Sequence, residues 1–598
     1  MQYVFNLYYY YLYLYLYLVV SNKLILFQKG VSMHLVTKSY FDAFCKAFAA
    51  PYEETKNFEA FVNYCAFSKY SGDKVEVSDL VYEGPDPGID GAFLFLDDRA
   101  IFSTEELQEI FQNSRREFQV SLVFTQAKSS EKWSKQEIDS YIASIRDYLS
   151  PAPQQPHSEY LADFKKMFNL IFANIGRVKN GLPDLYAYFF SAAQNTEARE
   201  IKAAFASGEK SLKSLGFSHE TSFIMAHKDM IHELWLAAEG PIEAKLPTIG
   251  YAPFPAAPNI NNAYVATVKA RSFIDSILKD KNGNPRKKLF EENVRDFLGI
   301  DGDVNSEIAG TLDTDGKKAR FGLMNNGVTI VASSVRPAGQ EIFIRDFQIV
   351  NGCQTSNVLI SKDIQVDESV SLMIKLIETD EPAILDDIVR ATNRQSKVED
   401  AQFISTLKKL RELEHYFNAK GAIEGNKIYF ERRKGQYSSE SIAPVRIFDI
   451  REVARAYAAI VMMRPDYSSR YPNRLTGDLL NEVFSSDALE DDYYISCYCL
   501  YRLKALISNK RFDGKYSKLR WHILTAASKY CGNNYKAWGF KNKNEALHNL
   551  FSMNDGEWFE KLESLVKIAI PDPDISRDLL KSQPLTSTIL KSVDSVPK

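Results

Sequence analysis

The stretch FQVSLVFTQAK, residues 118–128, decides how the N-terminal part of the chain folds. Residues 118–127 form a continuous apolar run, which is typical of a strand in the middle of a sheet. The stretch ends with Gln126 and Lys128, and residues two positions apart lie on the same face of a strand. Burying a lysine is costly, so a polar pair at the end of a buried strand indicates a function.

The elements around this strand predict a mixed α/β domain. Residues 37–70 have helical spacing of apolar side chains, and residues 80–102 contain short apolar runs between Pro, Gly and Asp turns, which is typical of a hairpin. Ser103 begins a helix with good capping chemistry, and Ser134 begins another that runs to about Leu149. The order helix, hairpin, helix, strand, helix is that of an α/β domain.

Composition limits the class of protein. A chain of 598 residues suggests about three or four domains. The net charge of -4 argues against a DNA-coating protein, although it allows an enzyme with a local basic groove. Four of the six cysteines are scattered, Cys497 and Cys499 are too close together for a zinc-knuckle pair, and no CxxC occurs. This pattern argues against a disulfide scaffold and a Cys/His zinc site, and it indicates a reducing, cytoplasmic setting.

The first 32 residues differ from the rest of the chain. Residues 1–22 carry no charge and alternate Tyr with Leu at a period of two. They lack the basic region and the cleavage site of a signal peptide. We therefore expect translation to begin at Met33, with a membrane anchor as the alternative. No other segment approaches the roughly 20 uncharged apolar residues of a membrane span, so no membrane association is expected.

Proline-rich stretches and changes of periodicity divide the chain. Residues 150–158 and 247–262 are both rich in Pro, which indicates boundaries or long loops. We expect a multidomain α/β protein with these parts: a doubtful extension at 1–32, an α/β domain at 33–150, a connecting α/β region at 159–245, a central α/β domain at 246–440, a helical region at 441–570 and a flexible tail at 571–598.

Two of the expected strands bring together groups that suit metal-assisted phosphodiester hydrolysis. Asp90, in the turn GPDPGIDG, offers a carboxylate, and Gln126 offers a neutral oxygen. Hard divalent cations prefer oxygen ligands of these kinds. Lys128 can hold an attacking water or stabilise developing negative charge. A further acid from the first helix would complete the site, and we expect Glu59 in this role, with Glu54 as the second candidate.

Gly88-Ile89-Asp90 and Gln126-Ala127-Lys128 resemble the signature of the PD-(D/E)XK nucleases, in the Mrr-like variant that carries Gln in place of the second acid. The resemblance covers roughly residues 50–150. It implies a restriction-endonuclease-like domain, Mg²⁺ or Mn²⁺ as cofactor, and catalytic Asp90, Gln126, Lys128 and Glu59, of which all but Lys128 hold the metal. This chain departs from the pattern in having 36 positions and a helix between Asp90 and Gln126.

Two alternatives to an active nuclease stay open. The domain could be an inactive relative that only binds DNA, or the two motifs could be an ordinary turn and a solvated strand end. Lys128, Lys132 and Lys135, with Trp133 among them, could contact phosphates and stack on a base. The alternative interpretation of that run is a solvated helix start.

The central part of the chain contains five unusual strings. They are NVRDFLG at 293–299, NNGVTI at 325–330, QIVNGCQT at 348–355, ATNRQ at 391–395 and YFERRKG at 429–435. Asn-Gly pairs mark tight turns because they accept positive φ. The polar residues at these turns suit a ligand such as a nucleotide base or sugar, and the arginines suit a phosphate. The candidate ligand-binding residues are Asn325, Asn326, Asn351, Gln354, Thr355, Arg390, Asn393 and Arg394. An internal hydrogen-bond network that fixes the turns explains the same residues equally well.

The five strings, in this order, resemble the AIPR family, named for abortive infection and phage resistance. The resemblance spans about residues 245–440, and members of this family commonly carry an N-terminal GID…QxK pattern. It implies a bacterial anti-phage protein in which a nuclease acts and the AIPR core senses or regulates. The expected partners are nucleic acid, with DNA favoured over RNA, and a polar or nucleotide ligand in the core; a homo-oligomer is left open. The alternative functions are a non-catalytic nucleic-acid-binding or sensor protein of a defence or restriction-modification system, and a scaffold for other defence components.

Overall fold

The computed structural model describes residues 33–597, apart from two longer segments, 290–309 and 389–400, and short breaks of at most four residues elsewhere. The expected N-terminal extension, residues 1–32, lies outside the described residues. Three separate hydrophobic cores divide the described chain into an α/β unit (33–240), a sheet unit (241–379) and a helical unit (401–597). The chain is therefore a mixed α/β protein built of several units.

The α/β unit surrounds a five-stranded sheet. Its helices are α1 (Leu35–Ala47), α2 (Glu54–Tyr70), α3 (Val77–Leu80), α4 (Thr104–Asn113), α5 (Lys135–Leu149), α6 (Glu159–Ala173), α7 (Arg199–Lys213) and α8 (Lys228–Glu239). Its strands are β1 (Gly91–Leu96), β2 (Arg99–Ile101), β3 (Val120–Lys128), β4 (Asp184–Ser191) and β5 (Thr221–Ala226). The sheet order is β2-β1-β3-β4-β5, in which β1 pairs antiparallel with β2 and β3, and β3, β4 and β5 run parallel.

Local sequence chemistry explains several element boundaries in this unit. Ser134 accepts a hydrogen bond from the backbone N–H of Glu137, so it caps α5, and Ser103 does the same for Glu106 at the start of α4. The helical stretch expected over 37–70 forms two helices, since α1 ends at Ala47 and α2 begins at Glu54. Of the run VYEG at 81–84, expected as a strand, the described residues Val81, Tyr82 and Gly84 are not part of the sheet.

The Pro-rich segment 150–158, which we expected to separate two domains, lies inside the α/β unit. Strand β3 precedes it and β4 follows it, yet Leu122 pairs with Leu185 in one parallel ladder. Phe124 and Phe164 also pack in the same hydrophobic core, on either side of the segment. The sheet thus continues to residue 226, and the segment is a surface loop within the unit.

The sheet unit contains a six-stranded sheet. Its strands are β6 (Glu243–Pro247), β7 (Gly250–Pro253), β8 (Asn262–Lys269), β9 (Val328–Ala338), β10 (Glu341–Asn351) and β11 (Ser371–Glu378). Its helices are α9 (Ala270–Phe273), which continues into a π-helix (Ile274–Leu278), α10 (Asp315–Lys318), α11 (Phe321–Met324) and α12 (Cys353–Ser361). The strand order is β6-β10-β9-β11-β8-β7; β9 and β11 are parallel, and the other pairs are antiparallel.

We expected the helical unit to begin at residue 441, but it begins earlier in the chain. Its elements are α13 (Ala401–Ile423), β12 (Tyr429–Glu431), β13 (Ile447–Asp449), α14 (Ile450–Ile460), α15 (Pro465–Arg470), α16 (Pro472–Thr476), α17 (Leu480–Val483), α18 (Glu490–Ser508), α19 (Arg520–Asn534), α20 (Lys543–Leu550), α21 (Glu557–Ala569), α22 (Arg577–Leu580) and α23 (Gln583–Val593). Leu413 and Phe417 of α13 belong to the hydrophobic core of this unit.

The C-terminal segment 571–598, expected as a flexible tail, is instead largely helical and packed. Ile589 and Val593 of α23 are buried in the core of the helical unit. Lys529 of α19 donates to the Leu590 carbonyl oxygen at 2.6 Å and pairs with Asp594 at 2.8 Å. Apolar residues at helical spacing within a polar-looking tail therefore bury one face of α23.

Among the helices of the described residues, none combines the length and the apolar character that a bilayer crossing requires. The six cysteines form no disulfide, and five of them are buried.

Candidate functional site

The strand pairing of the α/β unit places Asp90 beside Gln126. Strands β1 and β3 pair with Gly91 opposite Thr125, and the Asp90 backbone N–H donates to the Thr125 carbonyl at 2.9 Å. Gln126 Nε2 donates to Asp90 Oδ2 at 2.7 Å, and the Ala127 N–H donates to the same oxygen at 2.8 Å. The intervening β2 pairs with the other side of β1, and α4 follows it, so the inserted helix does not separate the two motifs.

Glu59 lies on α2 and reaches the same place. Its side chain is largely buried, and burial raises the pKa of its carboxyl to about 6, with the negative charge of Asp90 adding to the shift. Burial also raises the pKa of Asp90, although the hydrogen bond from the Ala127 amide and the charges of Lys56 and Lys128 each lower it. The Glu59 carboxyl therefore lies close enough to Asp90 to feel its charge. Glu54, our second candidate, is not in it, because it pairs with Lys38 at 3.0 Å on the exposed first turn of α2.

Two cations face the carboxylates. Lys128 is partly exposed, lies 3.4 Å from Glu137 Oε1, and lowers the pKa of both Glu59 and Asp90. Lys56 Nζ lies 2.5 Å from Glu59 Oε2 and donates to the Tyr82 carbonyl at 3.3 Å. Lys56 belongs to no motif, although its position three residues before Glu59 on a helix could have indicated it.

A buried asparagine holds the Asp90 backbone in place. Asn63, fully buried on α2, donates from Nδ2 to the carbonyl oxygens of Leu80 at 2.8 Å and Asp90 at 2.9 Å. Its Oδ1 accepts a hydrogen bond from the Thr125 hydroxyl. Gly91 makes this approach feasible, because a Cβ there would lie 2.3 Å from Thr125 Oγ1 and 2.7 Å from Asn63 Oδ1. Asn63 could not be recognised from the sequence, since it belongs to no motif.

Tyr141 of α5 is a third residue that the sequence did not indicate. Its ring is fully buried against Phe189 and Phe223. Burial raises the pKa of its hydroxyl well above the ordinary value, and the nearby negative charge of Asp90 raises it further. The hydroxyl is therefore protonated at neutral pH.

The donor set fits a hard divalent cation, with one qualification. Among the described residues, no three or more His, Cys, Asp or Glu side chains are grouped to hold a metal ion. Two carboxylates, Asp90 and Glu59, and the amide oxygen of Gln126 are nevertheless a set of oxygens of the kind that Mg²⁺ and Mn²⁺ bind. Gln126 points its NH₂ group at Asp90, and its Oε1 faces Gly88. Rotation of that amide would turn its oxygen toward a cation beside Asp90.

In the basic run after β3, Trp133 and Lys135 make contacts within the α/β unit. Trp133 Nε1 donates to the Gln194 carbonyl at 2.7 Å, and its ring packs against Phe189 and Phe205. A ring held in this way is not free to stack on a base. Lys135 pairs with Asp139 one turn along α5. The solvated helix start is the interpretation that agrees with these contacts.

Two of the five central strings meet at one end of the six-stranded sheet. The turn at Gly327 precedes β9 and the turn at Gly352 follows β10, and these strands pair with Asn351 opposite Thr329. Gly352 has a φ of +86°, and a Cβ on it would lie 2.8 Å from the Gly327 carbonyl oxygen. Only glycine fits so close an approach at positive φ.

The polar residues of these two strings therefore surround one pair of turns. Asn325 donates to the Phe321 carbonyl at 2.9 Å, Gln354 is half-buried in the first turn of α12, and Thr355 is buried. Asn326 and Asn351 flank the two glycines.

The other three strings are placed differently. Arg390, Asn393 and Arg394 lie outside the described residues, as does the string at 293–299. The string at 429–435 begins with β12, whose Phe430 belongs to the core of the helical unit. Arg432, in the same string, pairs with Glu414 at 2.8 Å. The described parts of the strings thus lie in two units.

Comparison with known families bears on the second half of the chain. Residues 290–566 match the family model described as AIPR protein. Residues 290–566, the AIPR region, are thus similar to this family. The match begins later than the stretch 245–440 that carried the resemblance in sequence, and it includes most of the helical unit. No curated protein and no solved structure matches the chain.

Proposed function

We propose that the chain is a metal-dependent nuclease of a bacterial phage-defence system, in which the AIPR region senses or regulates. One observation carries the nuclease proposal: Gln126 is bonded to Asp90, and the charges of Asp90 and Lys128 both act on the Glu59 carboxyl. Oxygen ligands beside a lysine are what phosphodiester hydrolysis requires.

Each residue has a distinct part in the proposed chemistry. Asp90, Glu59 and Gln126 would hold Mg²⁺ or Mn²⁺, which when bound polarises the phosphate and lowers the pKa of a water. Lys128 orients the attacking water or stabilises the charge that develops on the phosphate. Lys56 compensates the negative charge of Glu59 until the cation binds. Since the pKa of Glu59 is about 6, its carboxylate is mostly ionised at neutral pH and able to act as a ligand.

The AIPR match supports the role in phage defence. The paired turns at Gly327 and Gly352 would take a polar ligand, with Arg390, Asn393 and Arg394 contributing from the segment outside the described residues. The nuclease domain would act on nucleic acid, with DNA favoured over RNA, in the cytoplasm. These assignments rest on the chemistry of the residues named and on the AIPR resemblance.

A second candidate function has one specific observation in its favour. The Asp90 carboxylate is already bonded to Gln126 and Ala127, and the Glu59 carboxylate to Lys56, so the site satisfies itself without a cation. A non-catalytic nucleic-acid-binding or sensor protein would show this arrangement. The nuclease is preferred because a metal site needs a second carboxylate, Glu59, close enough to feel the charge of Asp90, whereas contact with phosphates needs only the lysine.

The defence role is tested in cells that carry the full chain and are challenged with phage. We expect the parent to protect and Asp90→Ala to lose protection at equal protein level. Lys213→Ala is the matched control, since Lys213 is exposed and pairs only along α7 with Glu209. Protection by Asp90→Ala equal to that of the parent would contradict the nuclease role, and protection by neither would contradict the defence role.

A further inference from the structure

The helical unit contacts the α/β unit through a cluster of six charged side chains, the interface cluster, of which two are buried and four are half-buried. Its members are Glu76, Asp79, Glu452, Arg455, Lys504 and Arg520. Lys504 Nζ lies 3.0 Å from Glu76 Oε1 and 3.0 Å from Glu452 Oε1. Arg520 donates to Ser78 Oγ at 2.9 Å. Three cations thus meet three carboxylates where the AIPR region touches the N-terminal unit.

The charges of this cluster are more shielded from solvent than those of a surface ion pair. Burial alone would raise the pKa of Glu76, but Lys504, Arg520 and Arg455 outweigh it and hold that pKa well below its ordinary value. Glu452 and Arg520 are also buried. Removing one partner of such a pair leaves an uncompensated charge, so the cluster ties the two units together.

The interface cluster contacts the short helix α3, which is connected to the candidate site by hydrogen bonds. Glu76, Ser78 and Asp79 lie at or in α3 and interact with the helical unit, while Val77 and Leu80 of the same helix are buried in the α/β core. Asn63 then bridges the carbonyl oxygens of Leu80 and Asp90. A continuous series of contacts therefore runs from Lys504 through α3 and Asn63 to Asp90.

We infer that the helical unit positions Asp90 for metal binding through the interface cluster, α3 and Asn63, so that the AIPR region controls the candidate site by loosening or tightening this contact. The inference rests on the proposed metal site. Glu76, Lys504 and Asn63 act as positioning residues, since none of them contacts the proposed metal.

The test is a calorimetric titration of the purified full chain with Mn²⁺. The double variant Glu76→Gln/Lys504→Met removes one cation and one carboxylate, which keeps the buried charge balanced. We expect it to bind Mn²⁺ about tenfold more weakly than the parent, a typical coupling between two sites. The single variant Lys504→Arg keeps the cation, so it should retain most of the Mn²⁺ affinity of the parent.

The matched control is Lys510→Met, because Lys510 and Glu53 form an exposed ion pair at 3.0 Å between the same two units. Exposed pairs contribute little, so its Mn²⁺ affinity should stay within about twofold of the parent. Equal affinity of the double variant and the parent would overturn the inference.

A further variant covers the case in which the double variant does not fold, and a further control tests where the metal binds. If the double variant does not fold, Ser78→Ala removes only the bond to Arg520 and should weaken Mn²⁺ binding about fivefold; parent affinity there would overturn the inference equally. Asp90→Ala separately tests the proposed metal site on which the inference rests. If it binds Mn²⁺ as the parent does, the metal is elsewhere and the proposed function itself is wrong.

Discussion

The Gln126 side-chain amide donates to Asp90 Oδ2 at 2.7 Å, and this bond joins the ends of two neighbouring antiparallel strands. The Ala127 N–H donates to the same oxygen at 2.8 Å. The carboxylate is therefore held by the sheet itself rather than by a loose loop. A carboxylate on a rigid element can keep the geometry that a metal site needs.

The close packing beneath Asp90 predicts that Gly91→Ala destabilises the α/β unit. The new Cβ would lie 2.3 Å from Thr125 Oγ1 and 2.7 Å from Asn63 Oδ1, within a buried hydrogen-bonded group. We expect the free energy of unfolding to fall by about 1–3 kcal/mol, as is usual for overpacking. Gly176→Ala is the control, because a Cβ there meets nothing within 4 Å. Equal thermal unfolding of the two variants would show that the packing around Asn63 is not as described.

The contact between the two central turns predicts a similar effect in the sheet unit. Gly352 has a φ of +86°, and a Cβ on it would lie 2.8 Å from the Gly327 carbonyl oxygen and 3.0 Å from Val328 Cα. Because backbone atoms cannot move aside as side chains do, Gly352→Ala should lower the free energy of unfolding by about 2–4 kcal/mol. Gly250→Ala, in open space on strand β7 of the same sheet, should have little effect. Urea unfolding of both variants decides between these outcomes.

The helical unit should lose stability in acid because of His522. Burial lowers the pKa of this fully buried imidazole from 6.5 to about 4, against the charge of Asp466. The unfolded chain therefore binds a proton that the folded chain does not between about pH 6.5 and 4, so stability falls as the pH falls through this window. The contribution amounts to about 2 kcal/mol between pH 7 and pH 5.

Urea unfolding of His522→Leu at pH 7 and pH 5 measures this contribution. The variant should lose less stability than the parent over that interval, since it has no imidazole to protonate. His415→Leu, at an exposed position on α13, should keep the acid sensitivity of the parent. An equal loss of stability in His522→Leu and the parent would mean that another group governs the acid response.

The sequence could predict the strands and the residues they carry, because both depend on local patterns. Residues 118–127 are a continuous apolar run, and the structure has β3 there, ending in Gln126 and Lys128. Ser103 and Ser134 were recognisable as helix caps. The order of Asp90, Gln126 and Lys128 on neighbouring strands followed from the motif.

What the sequence could not predict depends on long-range contacts. The parallel pairing of β3 with β4 spans the Pro-rich loop at 150–158, and composition alone does not show that a strand pairs across such a loop. Asn63 and Tyr141 reach the site because α2 and α5 pack on the sheet, and neither belongs to a motif. The pairing of Lys504 with Glu76 joins residues 428 positions apart, which no local pattern encodes.

The most direct measurement of the central claim is the rate at which the purified full chain cleaves phage and host DNA with Mg²⁺ or Mn²⁺. The account predicts cleavage that requires the metal, and a loss of at least about a hundredfold in Asp90→Ala and in Lys128→Ala, because each removes a group that acts in the transition state. Both variants should unfold near the temperature of the parent, and Lys213→Ala should cleave as the parent does. If the parent cleaves no nucleic acid with either metal, or if Asp90→Ala and Lys128→Ala cleave as fast as the parent, the nuclease assignment is wrong.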